Sequence, residues 1–154
     1  MIRLFTICAL LFVTLYATPT RAAGSYNYQP SASKLVNEAK KLIKKEKYKR
    51  AIGKLEKAKR DEPDNADIFN YLGFAHRKMG AYAQSQSYYR QALDLDPGHK
   101  LALEYQGELY LTRDDLASAE ANLAKLRALC PDGCDALDDL TLAINAYRRG
   151  LKEQ

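Results

Sequence analysis

Two cysteines near the C-terminus are the side chains of this sequence best suited to covalent chemistry. Cys130 and Cys134 flank Pro131-Asp132-Gly133, and such a turn can bring two Cα atoms within the roughly 4.4 to 6.8 Å that a disulfide requires. We predict a structural disulfide, which would stabilise the fold by about 2 kcal/mol because it constrains the unfolded chain. A redox-active pair is the alternative, because Cys134 precedes a predicted helix N-terminus that would activate its thiol.

Other catalytic or ligand-binding chemistry has little support in the sequence. Metal binding needs more ligands than two thiolates, and the two histidines, His76 and His99, fall on a predicted helix-packing position and in a predicted turn. No glycine-flanked serine nucleophile and no glycine-rich phosphate loop occurs. Paired aspartates stand at predicted helix starts, where capping explains them. We therefore predict a protein that is not an enzyme and that holds no metal or cofactor.

The composition is that of a globular domain, and a predicted N-terminal signal peptide changes the net charge and the number of cysteines in the mature chain. The chain has 154 residues, 47% hydrophobic and 28% charged, with a net charge of +5. Residues 1–22 are typical of a secretory signal peptide, because Arg3 precedes an apolar run from Leu4 to Tyr16 and Ala22 offers a cleavage site. A retained anchor is the alternative, although the run is shorter than the about 20 residues of a spanning helix.

Cleavage near Ala22 removes two arginines and Cys8, so the mature chain, residues 23–154, has a net charge of +3 and two cysteines. We predict a periplasmic or secreted location, in which a disulfide can persist.

A regular period organises the rest of the chain. Pro63, Pro97 and Pro131 are evenly spaced, and the same offset superimposes several further columns of apolar or small residues. Within each period, apolar residues recur at three- and four-residue steps in two helical segments. Gly80 supplies a turn between the two segments, and the proline ends the second. Such a hairpin cannot bury its own apolar face, so neighbouring hairpins must stack.

The central period carries the residues of a known repeat at matching positions. They are Phe69, Leu72, Gly73, Ala75, Gly80, Tyr82, Tyr89, Ala92 and Pro97. The chain thus resembles the tetratricopeptide repeat (TPR) family, and specifically an exported bacterial TPR protein, although His76 and Ser85 depart from the usual aromatic residue and alanine. The resemblance implies an all-α solenoid of helical hairpins with three units, at about 32–65, 66–99 and 100–133.

The segments on either side of the repeats have simpler predictions. Residues 134–150 place apolar residues such as Leu140 and Ile144 on one helical stripe, with aspartates near the N-terminus and arginines near the C-terminus. We predict a C-terminal capping helix that covers the third unit. Residues 23–33 are uncharged and lack periodicity, which favours a flexible leader.

The TPR resemblance also implies a binding surface, because the first helix of each unit lines a concave groove that holds an extended peptide or a partner helix. Phe74 and Leu111 are expected to be exposed apolar groups there, so the surface suits a peptide with apolar anchors and charges. The alternative is a merely variable surface. The corresponding positions are Val36, Lys40, Ile43, Lys44, Asp67, Asn70, Phe74, Arg77, Lys78, Leu101, Glu104, Glu108, Leu111 and Thr112.

One known specificity within the family is not expected here. Some TPR domains clamp a peptide's C-terminal carboxylate with Lys, Asn and Arg side chains. The matching positions of this sequence hold Val36, Lys40, Tyr71, Leu101 and Tyr105.

Charge is divided unevenly along the repeats. Residues 34–60 carry 12 basic and 3 acidic residues, a net +9, whereas residues 61–154 carry 10 basic and 16 acidic residues, a net −6. The basic hairpin is either the solvated face of an end repeat or a docking surface for an acidic protein, an anionic membrane or an acidic polymer. Export and the lack of a basic recognition element argue against nucleic acid.

Together these features predict an exported TPR scaffold or adaptor that binds a partner protein or peptide in its groove. An envelope protein that docks on an anionic membrane surface or acidic polymer through its basic first hairpin is the alternative, followed by a thiol redox protein. Self-association through the uncapped first unit leaves the oligomeric state open.

Overall fold

The computed structural model describes the backbone of residues 30–152 and the side chains of residues 30–150. This described part contains seven α-helices and no strand. The helices are α1 (Ala32–Lys44), α2 (Tyr48–Asp61), α3 (Ala66–Lys78), α4 (Tyr82–Leu95), α5 (Lys100–Thr112), α6 (Leu116–Leu129) and α7 (Asp135–Lys152). The predicted signal peptide, residues 1–22, and residues 23–29 of the predicted leader lie outside the described residues.

The two ends of the helical region compare differently with the prediction. α1 begins at Ala32, where the first unit is predicted to start, so the predicted leader is too long by residues 32 and 33, and Ala32 is only 4% exposed. The Ser31 hydroxyl accepts a hydrogen bond of 3.4 Å from the Lys34 backbone N–H and so caps this helix. At the other end, α7 continues to Lys152 instead of ending at residue 150.

The six helices before α7 form three hairpins that repeat at a constant interval. Their first helices begin at residues 32, 66 and 100, and their second helices at residues 48, 82 and 116. Each hairpin turn holds one residue in the left-handed region at the same repeat position, namely Glu46 (φ 55°), Gly80 (φ 75°) and Asp114 (φ 59°). Only the central turn uses glycine, for which this conformation has no Cβ penalty.

Two glycines allow helices to approach closely. A Cβ atom at Gly73 of α3 would lie 2.6 Å from ring carbons of Tyr89 on α4, and one at Gly107 of α5 would lie 2.6 Å from a methyl carbon of Leu140 on α7. Any larger residue at either position would therefore have to displace the Tyr89 ring or the Leu140 side chain from its packing.

The core consists mainly of two apolar clusters, one at each end of the solenoid. Leu35 and Leu55 belong to the cluster of α1, α2 and α3, and Leu103, Leu140 and Ile144 belong to the cluster of α5, α6 and α7. α7 therefore covers the apolar face that the third hairpin would otherwise expose to water.

The first helices of the hairpins stand side by side. α1 contacts α3, α3 contacts α5, and α5 contacts α7. The surface formed by these four helices is called the groove below.

Candidate functional site

An aromatic cluster occupies the centre of the groove. The ring centroids of Phe74 on α3 and Tyr105 on α5 lie 4.8 Å apart at an interplanar angle of 53°, and the ring of Tyr48 lies 6.5 Å from that of Phe74. All three side chains are half-buried. Half-buried aromatic rings offer apolar area with little conformational entropy to lose, which suits the capture of an apolar ligand group.

Arg77 crosses this cluster but is already paired. Its guanidinium lies 5.5 Å from the ring centroid of Phe74 and 6.0 Å from that of Tyr105, and it forms an ion pair with the carboxylate of Glu108. Only 11% of the Arg77 side chain is exposed. Arg77 therefore joins α3 to α5 and positions the two rings, because a charge-paired guanidinium with a buried stem holds its neighbours in place.

Two lysines remain accessible beside the rings. Lys40 of α1 lies over the ring of Tyr71 at 5.3 Å, and Lys78 lies over the ring of Phe74 at 5.5 Å. Both lysines are exposed. They place positive charge at the α1 and α3 side of the groove, where it could meet acidic groups of a ligand.

The opposite side of the groove holds a buried carboxyl group. Glu104 on α5 is 5% exposed. Burial, with further contributions from Glu108 and from Asp139 on α7, raises the pKa of Glu104 to about 8 against the opposing effect of Arg77. Glu104 is therefore mostly protonated at neutral pH, so this wall carries less negative charge than the sequence indicates.

The raised pKa of Tyr105 has the same origin. Burial raises its pKa to about 12, with the Glu104 carboxyl as the next contribution. Its phenol is therefore neutral at physiological pH and is able to donate a hydrogen bond to a ligand.

Some of the residues predicted for the groove lie together. Phe74, Arg77, Lys78 and Glu108 meet around the aromatic cluster, and Lys40 adjoins it through Tyr71.

Others of the predicted residues lie elsewhere in the structure. Val36 and Ile43 pack against the first core cluster, and Lys44 is exposed at the end of α1. Asp67 lies 3.1 Å from the His99 ring nitrogen. The Thr112 hydroxyl donates to the Glu108 carbonyl, and Leu101 is half-buried.

Three predicted groove residues are not accessible. Leu111, predicted to be exposed, is only 8% exposed and belongs to the cluster with Leu140 and Ile144, because α7 covers this end of α5. That prediction is wrong. Asn70 is fully buried, and Glu104 nearly so.

Sequence reasoning identifies Phe74 but misses the tyrosines of the groove. Tyr71 and Tyr105 are named from the sequence only because they stand where other TPR domains carry carboxylate-clamp residues. The two tyrosines nevertheless occupy the same repeat position in successive units. That recurrence was the available signal. Tyr48 and Asp139 come from α2 and α7, and no periodic rule places them beside α3 and α5.

Cys130 and Cys134 lie at the turn before α7. Their Cα atoms are 5.9 Å apart, within the range of disulfides, and the structure places their sulfur atoms at bonding distance. Among residues 30–150, no group of three His, Cys, Asp or Glu side chains could hold a metal ion. Within the described part of the chain, no helix has the length and hydropathy needed to cross a membrane.

The stacked hairpins and the C-terminal helix define an all-α solenoid of TPR-like helical hairpins. The family model of the tetratricopeptide repeat matches residues 66–99, which form the central hairpin. Uncharacterized protein ycf37 of Pyropia yezoensis is 31% identical over 64 residues, which make up 42% of this chain and 36% of that protein. The chain thus spans about a third of the length of this relative.

Solved TPR domains share the fold at lower identity. The first TPR of Spaghetti (RPAP3), bound to the HSP90 peptide SRMEEVD, is 21% identical with a TM-score of 0.66, covering 77% of this chain and 94% of that domain. The TPR2B domain in the pHsp70 complex of yeast Sti1 is 15% identical with a TM-score of 0.70, covering 77% of this chain and 97% of that domain.

Proposed function

We propose that this protein is an exported TPR scaffold or adaptor that binds a segment of a partner protein in its groove. The observation that carries the proposal is the half-buried aromatic pair of Phe74 and Tyr105, 4.8 Å apart between α3 and α5, with the exposed cations of Lys40 and Lys78 beside it. The HSP90 peptide bound to the similar domain of Spaghetti and the pHsp70 complex of the similar domain of Sti1 support the same use of this fold.

The groove favours a particular chemistry in the partner segment. An apolar or aromatic side chain would pack on Phe74 and Tyr105, and acidic groups would pair with Lys40 and Lys78. Arg77 would not pair with the ligand, because Glu108 already compensates its charge. The partner is therefore expected to carry an apolar anchor next to acidic residues. The chemistry is noncovalent, and we infer no enzymatic activity, metal or cofactor.

A matched pair of charge reversals tests the groove. Short peptides are selected from a display library on the mature chain, and their dissociation constants are measured by fluorescence anisotropy. Lys40→Glu is expected to weaken binding about tenfold, which corresponds to about 1.4 kcal/mol. Lys57→Glu, an equal charge change at an exposed site on α2 of the same hairpin, is expected to leave binding within about twofold. Equal effects of the two reversals would contradict the groove.

Export and the disulfide belong to the same proposal and have one measurement. The intact mass of the protein recovered from its native compartment is expected to correspond to a chain that begins at Ala23 and has lost two hydrogens through oxidation of Cys130 and Cys134. A mass that includes residues 1–22, or two thiols that react with an alkylating reagent without reduction, would contradict the respective part.

A further inference from the structure

The edge formed by the first two hairpin turns combines exposed apolar groups with basic residues. The turns comprise residues 45–47, between α1 and α2, and residues 79–81, between α3 and α4. Met79 is 50% exposed and Tyr82 is 39% exposed at this edge. Together with residues 48–50 at the start of α2 and Tyr82 at the start of α4, these positions are called the turn edge below.

An open cleft of about 480 Å³ lies in the turn edge. It is lined by Glu46, Lys47, Tyr48, Lys49, Arg50 and Met79. Basic residues predominate over the single acidic one, while Tyr48 and Met79 supply the apolar part. This is the composition of a site that meets an anionic group above an apolar layer.

The equivalent turn of the third hairpin has a different character. Arg113, Asp114 and Asp115 occupy it, and Asp114 accepts a hydrogen bond from the Tyr147 hydroxyl at 3.1 Å. Two carboxylates at this turn would be repelled by an anionic surface. The basic and apolar character of the turn edge is therefore confined to the first two units and is no general property of the repeat.

We propose that the turn edge docks on the surface of an anionic lipid bilayer, with Met79 and Tyr82 inserted at the headgroup level and Lys47, Lys49 and Arg50 beside the lipid phosphates. Exposed tyrosine and methionine next to lysines fit this environment, because the apolar side chains can enter the interfacial layer while the cations remain among the headgroups.

The charge complementarity favours a lipid surface in particular. Each basic residue near an anionic membrane contributes about fivefold to partitioning, so three together give a large but salt-sensitive attraction. The edge shares Tyr48 with the aromatic cluster of the groove, but the groove lysine Lys40 does not line the cleft, and Lys47 and Lys49 are not groove residues. Membrane docking and peptide binding can therefore be tested separately.

A tryptophan reporter measures insertion directly, because the chain contains no tryptophan. Met79→Trp in the mature chain is mixed with vesicles of phosphatidylglycerol and phosphatidylcholine, or of phosphatidylcholine alone, and its emission is recorded with and without brominated lipid. We expect a blue shift of the tryptophan emission, and its quenching by brominated lipid, with the vesicles that contain phosphatidylglycerol and not with those of phosphatidylcholine alone. Leu142→Trp, at a position that is 65% exposed on α7, is the control and is expected to show neither effect.

Charge reversals separate the turn edge from the net charge of the first hairpin. Lys47→Glu/Lys49→Glu is expected to reduce vesicle co-sedimentation by about 25-fold or more, whereas Lys57→Glu/Arg60→Glu, an equal change nearer the end of α2, is expected to reduce it about threefold or less. Lys40→Glu, which tests the groove, is expected to leave co-sedimentation nearly unchanged.

Three results would overturn the proposal. They are no co-sedimentation with anionic vesicles, co-sedimentation without a blue shift of Trp at position 79, and equal losses for the two double reversals. If the first of these results is accompanied by binding to soluble polyaspartate, the turn edge is assigned to an acidic protein instead.

Discussion

Glu104→Gln is expected to stabilise the protein in a strongly pH-dependent manner. The Glu104 carboxyl is buried at the wall of the groove, and its pKa is raised to about 8 from an ordinary value of 4.5. The charged groups around it are Glu108 on the same helix, Asp139 on α7 and Arg77 on α3. Glutamine keeps the shape of the protonated side chain and cannot ionise, so it removes the cost of burying a carboxylate.

Proton linkage gives the direction in which the stability contribution of Glu104 changes with pH. Because the folded-state pKa of Glu104 lies above the unfolded value, the folded chain binds this proton more tightly than the unfolded chain does. The contribution of Glu104 to stability is therefore fully present below about pH 4.5, falls as the pH rises to about 8, and is constant above that value. The glutamine variant lacks this loss.

The raised pKa of Glu104 also sets an upper bound on the stability that Glu104→Gln can gain. A pKa raised from 4.5 to about 8 corresponds to an upper bound of roughly 5 kcal/mol, at about 1.4 kcal/mol per unit. Asp139 is exposed to solvent, and water that reaches it screens part of this repulsion. We therefore expect the advantage of Glu104→Gln over the wild type to grow by about 2 kcal/mol between pH 5 and pH 9.

Denaturant unfolding followed by circular dichroism at pH 5, 7 and 9 measures this gain. Glu46→Gln, at an exposed turn position, is the matched control and is expected to show no comparable trend with pH. A difference between Glu104→Gln and wild type that stays constant from pH 5 to pH 9 would refute the account of Glu104 as a protonated groove residue.

The remaining predictions concern the stability of the scaffold, and thermal or denaturant unfolding checks each of them. Gly73→Ala is expected to lower the free energy of unfolding by about 2 kcal/mol, because the added methyl would lie 2.6 Å from the Tyr89 ring. Gly53→Ala, whose added methyl meets nothing within 4 Å, is expected to raise it by about 1 kcal/mol through helix propensity. An equal effect of the two substitutions would contradict the close packing of α3 on α4. Glu46→Gly should gain roughly 0.5 to 1 kcal/mol, since it relieves a side chain held at φ 55°, and a loss would show that the turn is not left-handed. Cys134→Ser should lower stability by about 2 kcal/mol under oxidising conditions and by little under reducing conditions, whereas equal losses in both would exclude a disulfide.

The repeat period predicted the helices well, because it reflects backbone geometry that every unit shares. Gly73, one of the residues that carry the TPR resemblance, lies where α3 and α4 approach closely. The turn at Gly80 was also predicted, while Glu46 and Asp114 adopt the same left-handed conformation without a glycine to indicate it. Residues at one repeat position therefore share a backbone conformation even where their side chains do not suit it.

The groove was predicted less well, because side-chain burial depends on neighbours that differ from unit to unit. The repeat pattern assigns Leu111 to a groove position, but α7 covers this side chain and makes it part of the core. Glu104 was counted as a charge, although its burial beside Glu108 and Asp139 keeps it protonated at neutral pH. Both errors arise at the junction with α7, where the periodic rule ends.

The most direct test of peptide binding is a chemical-shift map of the mature chain, titrated with a peptide selected on it. The largest changes are expected at the backbone amides of Tyr71, Phe74 and Tyr105, on the facing helices α3 and α5. Changes confined to α2, α4 and α6, with those three amides unmoved, would contradict the assignment of the groove as the binding surface.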